Sequence, residues 1–435
     1  MRSRAAAWAT AATIVAGALS GVTLDAGPVA ATTALSCALP ASGTTFGTAT
    51  PQAESIDPAA VRMALAYADT HLRLSVQIFR NNCLIGGSPL NAVTSNIPWE
   101  IFSSTKSVVS MLTGIAFDRH KLALDDPIGR YLPTGHGWGD AAHRAITIRD
   151  LLTETSGTRE SILAEFVSVG VDPDIAQEAL AQPIQHTPGS YFEYNQRDPD
   201  LLAYVVQRAV GQDLQTFAQS YLFGPIGIPA HSYRWLRDRS GNTYGYANLF
   251  IPPTQFAKLG LLLQNGGLWR GQRIVSTSYL DQARVNQPTN PCYGFLLWHN
   301  GGTSCTGANI PAAQTVSGPL IGSAPPDLFA MVGALQQNNF MIPSLHMTVT
   351  WTGVLGDTAL NLSGLLSAGP SSNLFYNFFR ILMSGVRDVH VPDPGPYKAP
   401  PLDLDVNPVN YLNPAVLLTD LFPNSTCNLI FCKTS

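Results

Sequence analysis

From Ser107 to Phe117 the chain carries no charge, and Val108, Val109, Met111, Leu112 and Ile115 leave it apolar on nearly every side. A helix of that pattern is stable only when it is covered all round. The fold must therefore wrap other layers about it. The chain can supply them, since 435 residues suit one large two-lobed body. Hydrophobic residues make up 45% and charged residues only 12%, about half the usual charged share. Such a composition buries enough apolar surface to exclude disorder for the bulk of the chain. Net charge is −4 with no block of like charges, so a nucleic-acid footprint is absent.

The order of patterns points to an α/β fold with a helical insert. Arg73 to Ile85 alternates apolar and polar residues around Asn81-Asn82, which predicts a strand pair about a turn. A helix-rich middle runs from about Thr147 to Gln282, including Leu201–Val210, Leu214–Leu222 and Gln255–Leu263. Strand patterns return at Tyr293–Trp298, Leu328–Leu335, Phe340–Ile342 and His346–Thr352. The tail from 391 to 435 is rich in proline and should wrap the surface.

The first residues read as an export signal. Arg2 and Arg4 precede an uncharged stretch from Ala5 to Thr23, followed by the small residues Val29, Ala30 and Ala31. That predicts a signal peptide over 1–31 and a secreted or cell-envelope protein. A retained membrane anchor is the alternative, although Ala, Thr and Gly dilute the stretch. Export makes six cysteines readable as disulfides. Proximity suggests Cys292 with Cys305, Cys427 with Cys432, and Cys37 with Cys83, one of fifteen possible connectivities. No Cys-x-x-Cys occurs and no histidines stand at ligand spacing, so neither a metal nor a cofactor is expected.

Chemistry concentrates at Phe102-Ser103-Ser104-Thr105-Lys106, where Ser-x-x-Lys occurs once in the chain. At the head of a buried helix, Ser103 and Lys106 share one face a turn apart. The helix N-terminus favours a developing negative charge near the serine. A desolvated lysine can lose its proton near neutral pH and act as base for the hydroxyl. The plainer reading is a helix cap with a surface lysine. The apolar helix leaves Lys106 no solvent face, which argues against it.

These residues, with others downstream, resemble the serine β-lactamase and penicillin-binding-protein superfamily, in its class C-like branch. The stretch Phe102-Ser-Ser-Thr-Lys-Ser-Val-Val-Ser-Met-Leu-Thr-Gly-Ile-Ala is similar to that branch's first motif, and Leu122 to Pro133 continues as expected. Ile146-Thr-Ile-Arg-Asp-Leu-Leu-Thr-Glu-Thr-Ser-Gly157 is a second block, and Pro188-Gly-Ser-Tyr-Phe-Glu-Tyr194 matches the approach to a catalytic tyrosine. Phe256-Ala-Lys-Leu-Gly260 and Tyr293-Gly-Phe-Leu-Leu-Trp298 look most like esterase and 6-aminohexanoate-dimer hydrolase members. The resemblance covers roughly residues 60 to 385.

It implies an antiparallel sheet flanked by helices, in a hydrolase domain over about 50–390. The α/β lobe would span about 50–140 and 285–390, and the helical lobe about 141–284. It also implies that Ser103 is acylated and that Lys106 and Tyr194 share general base and acid duty. A neighbouring ammonium would lower a tyrosine pKa otherwise near 10. The oxyanion would be held by the N–H groups of Ser103 and Ala334. The substrate would be a small ester or amide.

Two departures stand out. Gln196 replaces an asparagine two places after the tyrosine, its amide displaced by one methylene. Met331-Val332-Gly333 replaces the Lys-Thr-Gly of β-lactam-handling members. Gly333 still allows substrate close to the strand edge, but the cationic and hydroxyl side chains are gone. Arg197 is a candidate replacement for the cation. The departures favour an esterase. A catalytically weak binding or cell-wall-associated relative, and a true β-lactamase or DD-peptidase, are the alternatives. His120, His186, His299 and His346 could serve a Ser-His-Asp site, but no Gly-x-Ser-x-Gly elbow accompanies them.

Overall fold

Asn81 and Asn82 turn the chain by taking left-handed backbone at both positions, φ 48° and 66°. A two-residue hairpin that matches strand twist needs that geometry, and asparagine adopts it more readily than most residues. The hairpin joins β1 (Arg73–Arg80) to β2 (Cys83–Gly87), as the alternation predicts. The computed structural model describes residues 36–41, 43, 45–159, 171–307, 315–354, 373–398, 418, 422–423, 427–428 and 430–432.

Four later strands complete the sheet: β3 (Trp298–His299), β4 (Phe329–Gly333), β5 (Gln337–Ile342) and β6 (Met347–Gly353). Their order is β2-β1-β6-β5-β4-β3, and every neighbouring pair is antiparallel. The early hairpin thus closes against the last strand. This is the antiparallel sheet that the resemblance implies.

Helices cover both faces. On the sheet lie α1 (Pro58–Asp69), α2 (Ser104–Asp118), α6 (Pro253–Gln264) and α7 (Asn373–Met383), while α3 (Ile148–Leu152) and α4 (Ile175–Ala181) pack on α5 (Arg197–Val210), which packs on α2. Because side chains alternate along a strand, β5 and β6 present different residues to the two sides. Phe340 and Trp351 meet Phe375, Phe378 and Phe379 of α7 edge-on. On the other side, Asn339 donates to the Phe256 carbonyl of α6 at 2.8 Å and accepts from Thr350 at 2.6 Å. Gly260 lets α6 come this close, since a Cβ there would stand 2.9 Å from Asn339.

Two expected strands differ. Tyr293–Trp298 is a folded loop whose ends pair with each other, with Leu296 at φ 53°. Apolar residues buried in a loop give the same sequence pattern as a strand. The run from Leu328 stops at Gly333, because Leu335 and Gln336 turn left-handed at φ 56° and 72°.

The three expected disulfides form: Cys37–Cys83, Cys292–Cys305 and Cys427–Cys432. The signal segment over 1–31 lies outside the described residues, as does most of the tail after 398. Among the described residues, no helix is long and apolar enough to cross a membrane.

Candidate active site

Ser103 stands half-buried at the head of α2, where Phe102 turns the backbone left-handed at φ 45°. The N–H groups of Ser104, Thr105 and Lys106 close turns onto Ile101, Phe102 and Ser103. Ser103 occupies the cap position with helical backbone, and its hydroxyl makes no capping bond. A capping serine would be committed to the helix, whereas this one is not.

The sheet grips this turn. Ser104 Oγ donates to the Gln337 carbonyl at 2.7 Å. At the end of β4, a Cβ on Gly333 would lie 2.2 Å from the Ile101 carbonyl. Glycine is required there because the strand touches the segment leading into Ser103, a steric reason beyond room for substrate. Ala334 follows and opens a tight turn over Ala334–Gln336. Met331 and Val332 are buried, and the Met331 sulfur lies 3.7 Å from Asn339 Nδ2.

One turn into α2, Lys106 is 1% exposed. Its Nζ donates to the Asn195 carbonyl at 2.7 Å and to Gln196 Oε1 at 2.6 Å. It also lies 4.4 Å from the Tyr194 ring centroid and 5.9 Å from that of Tyr246. The loop before α5 arranges these partners. Asn195 Oδ1 caps the helix by accepting from the Asp198 N–H at 2.7 Å, which leaves its carbonyl and the next amide facing Lys106. The longer Gln196 side chain therefore reaches the lysine. Tyr194 is walled by Tyr293 and Trp298, at ring distances of 6.0 and 5.5 Å.

Two buried acids flank the lysine. Glu154 Oε1 is 3.5 Å from Lys106 Nζ, and the Glu154 carboxyl also acts electrostatically on the Tyr293 hydroxyl. Burial first, then the Glu154 charge, pushes the Tyr293 ionisation well up. Burial also pushes the Asp198 carboxyl up to about 7, against hydrogen bonds from Ser156 and Asn195 and the charge of Lys106. Glu154 and Tyr293 stand inside the recognised blocks, but nothing in their spacing singles them out. An acid four residues after Asp150, in a run to Gly157 that is otherwise uncharged, was the signal available.

Arg197 is not free to replace the missing cation. It is buried and bonded to Asp172 at 2.9 Å, Glu178 at 2.8 Å and Asp200 at 3.2 Å. The sulfurs of Cys427 and Cys432 lie beside Glu178, but they are joined to each other. His299 is fully buried, and burial lowers its pKa to about 4. His186 stacks on Tyr191. Lys106, Tyr194 and Gln196 thus come together, with Ser103 one helical turn away and Gly333 against the same turn.

Known proteins resemble this chain in sequence and in fold. The Esterase EstB of Burkholderia gladioli is 30% identical over 145 residues, which cover 30% of this chain and 37% of its own length. Protein flp of Staphylococcus aureus strain N315 is 23% identical over 145 residues, 33% of this chain and 29% of flp. This chain thus matches only about a third of the length of these curated relatives. The solved structure of a proposed 6-aminohexanoate-dimer hydrolase from Bacillus anthracis superposes with a TM-score of 0.60 at 14% identity. It covers 80% of this chain and 90% of the other. The Beta-lactamase family profile matches residues 84–316, more than half of the 435. With that match added to the sheet, the buried helix and its Ser-x-x-Lys head, the chain belongs to the Beta-lactamase family.

Proposed function

We propose that this chain is an exported serine hydrolase that cleaves small ester or amide bonds through an acyl-enzyme on Ser103. The observation that carries the reading is the setting of Lys106: one turn from Ser103, beneath the Tyr194 ring at 4.4 Å and bonded to Gln196. An ammonium beside a phenol favours the phenolate, so Tyr194 can take the Ser103 proton as the oxygen attacks the carbonyl. Tyr194 then returns that proton to the leaving alkoxide, and a water molecule repeats the cycle to free the acid. The N–H groups of Ser103 and Ala334 would hold the oxyanion. Gln196 would orient Lys106 and the substrate. Three disulfides support export.

A β-lactam carries a carboxylate that needs a cation or hydroxyl on the third-motif strand. Met331 and Val332 offer neither, and Arg197 is committed elsewhere. Charge-assisted hydrogen bonds are worth about 1.5–3 kcal/mol each, so the missing pair should lower kcat/KM by roughly two to four orders of magnitude. A neutral ester loses nothing comparable.

The test has two parts. An acylating active-site probe should label Ser103 stoichiometrically, and Ser103→Ala should abolish both labelling and turnover. Because the hydroxyl makes no cap, that variant should lose less stability than the roughly 1 kcal/mol of a lost cap. Side by side, a short-chain nitrophenyl ester should then exceed a chromogenic cephalosporin in kcat/KM. No labelling would favour a binding relative, and a faster cephalosporin would favour a true β-lactamase.

A further inference from the structure

A protonated lysine presents three donors and no acceptor, and the groups around Lys106 Nζ suit that form. Asn195 O, Gln196 Oε1 and Glu154 Oε1 are acceptors at 2.7, 2.6 and 3.5 Å. The faces of Tyr194 and Tyr246 likewise attract a cation. A neutral amine, with two N–H groups and one lone pair, would have to turn that lone pair toward one of these three oxygens. We propose that Glu154 is the charge partner that keeps Lys106 an ammonium throughout turnover, so that the proton exchanged between Ser103 and the leaving group travels on Tyr194 alone. Lys106 nitrogen keeps its three protons at every step, and Tyr194 oxygen gains one in the attack and releases it in the collapse.

Glu154 acts through Lys106 and is therefore a positioning residue. Its placement is specific. The residue is fully buried, and its backbone takes φ 50°, a region non-glycine residues seldom occupy unless the surroundings enforce it. The Glu193 N–H holds its carbonyl at 3.0 Å, on the same loop that carries Tyr194. Removing one partner of a buried ion pair is far costlier than removing both, because it strands a charge.

Other charged groups near α2 do not take this role. From α5, the Asp198 carboxyl is pushed up to about 7 by burial, so near neutral pH it is only a partial anion. Arg197 is neutralised by Asp172, Glu178 and Asp200. Strand β4, from Phe329 to Gly333, brings no ionisable side chain. Tyr279, packed from Thr277–Ala283, is bonded to Ser110 further along α2. Tyr293 is kept neutral by burial and by the Glu154 charge, and Tyr246 offers its ring face.

The kinetic arm of the test rests on the acyl-enzyme reading, and the stability arm does not. In the kcat/KM profile for a nitrophenyl ester, the alkaline limb marks loss of the Lys106 ammonium. Glu154→Gln keeps the side chain's size but removes its charge. An opposite charge within about 4–6 Å shifts a pKa by roughly 1–3 units. The limb should therefore move toward lower pH by about that amount, and Glu154→Asp should restore most of it. An unmoved limb would overturn the proposal. Thermal melts of Lys106→Met, Glu154→Gln and the double variant give the second arm. The double variant should melt above Lys106→Met, because the stranded carboxylate is gone. A double variant no more stable than either single would overturn the pairing. A parent without esterase activity would count against Ser103 chemistry and leave the melting cycle as the measure of the pair.

Discussion

Among the described residues two lysines lie buried in apolar helices, and their surroundings could hardly differ more. Lys106 in α2 meets a carboxylate, an amide oxygen, a backbone carbonyl and two aromatic faces. Lys258 in α6 is 0% exposed, and its ammonium bonds to the backbone carbonyls of Gly43 and Gly227. The first set mixes charge, polarity and π-density beside a serine that is not capping its helix. The second ties the N-terminal segment, itself held to β2 by Cys37–Cys83, to the chain after Leu214–Ala218. Burial of a lysine therefore marks no site by itself. The partners decide whether it serves chemistry or architecture.

The sharpest way to break the comparison is to remove each lysine in turn. Lys106→Ala and Tyr194→Phe should each lower kcat by about 10²–10⁴, and the double variant should be little worse than either. Lys258→Met should leave kcat/KM essentially unchanged. Steady-state kinetics on one ester measures all four. Additive losses at Lys106 and Tyr194 would give them separate tasks, and a strong loss at Lys258 would erase the distinction drawn here.

A smaller effect tests how Gln196 supports the site. With its Oε1 2.6 Å from Lys106, Gln196→Ala removes one acceptor and leaves the Asn195 carbonyl and Glu154. Losing a hydrogen bond to a charged group costs about 1.5–3 kcal/mol, so kcat/KM should fall roughly 10- to 100-fold. Gln196→Asn, one methylene shorter, should recover part of it only if the loop can shift toward α2. A variant equal to the parent would place substrate orientation elsewhere.

Much of this was legible in the sequence because it depends on local pattern. The charge-free stretch after Lys106 dictated a buried helix, and Asn81-Asn82 dictated the hairpin. What was not legible depends on side chains far apart in the chain. An apolar helix with a lysine near its head describes α2, and an equally apolar stretch surrounds Lys258, so sequence alone could not rank them. Tyr293–Trp298 reads as a strand because burial, not extension, sets its composition. Arg197 looks available beside the tyrosine until Asp172, Glu178 and Asp200 converge on it from three directions. Met331 and Val332 were the exception: their apolar character was plain from the chain, and the fold buries them on β4.

The smallest effect concerns the titration of Lys258. Burial lowers its pKa from 10.5 to about 8, with no carboxylate among the described residues opposing the shift. Between those values the unfolded chain holds a proton that the folded chain has released, so stability rises with pH. The gain is complete above the unfolded pKa and is lost as pH falls through about 8. From pH 7.5 to 9 the group alone should add about 1 kcal/mol, or about 1 °C in Tm for a chain of this size. Lys258→Met should abolish that increment, read as the difference between the two pH-dependent melting curves. Lys106→Met should not, because the ammonium there has a carboxylate partner and its loss shows mainly in the absolute Tm. If the Lys258 variant kept the parent's slope, the two carbonyls would be solvating its charge as fully as water does. The contrast between the two lysines would then rest on their chemistry alone.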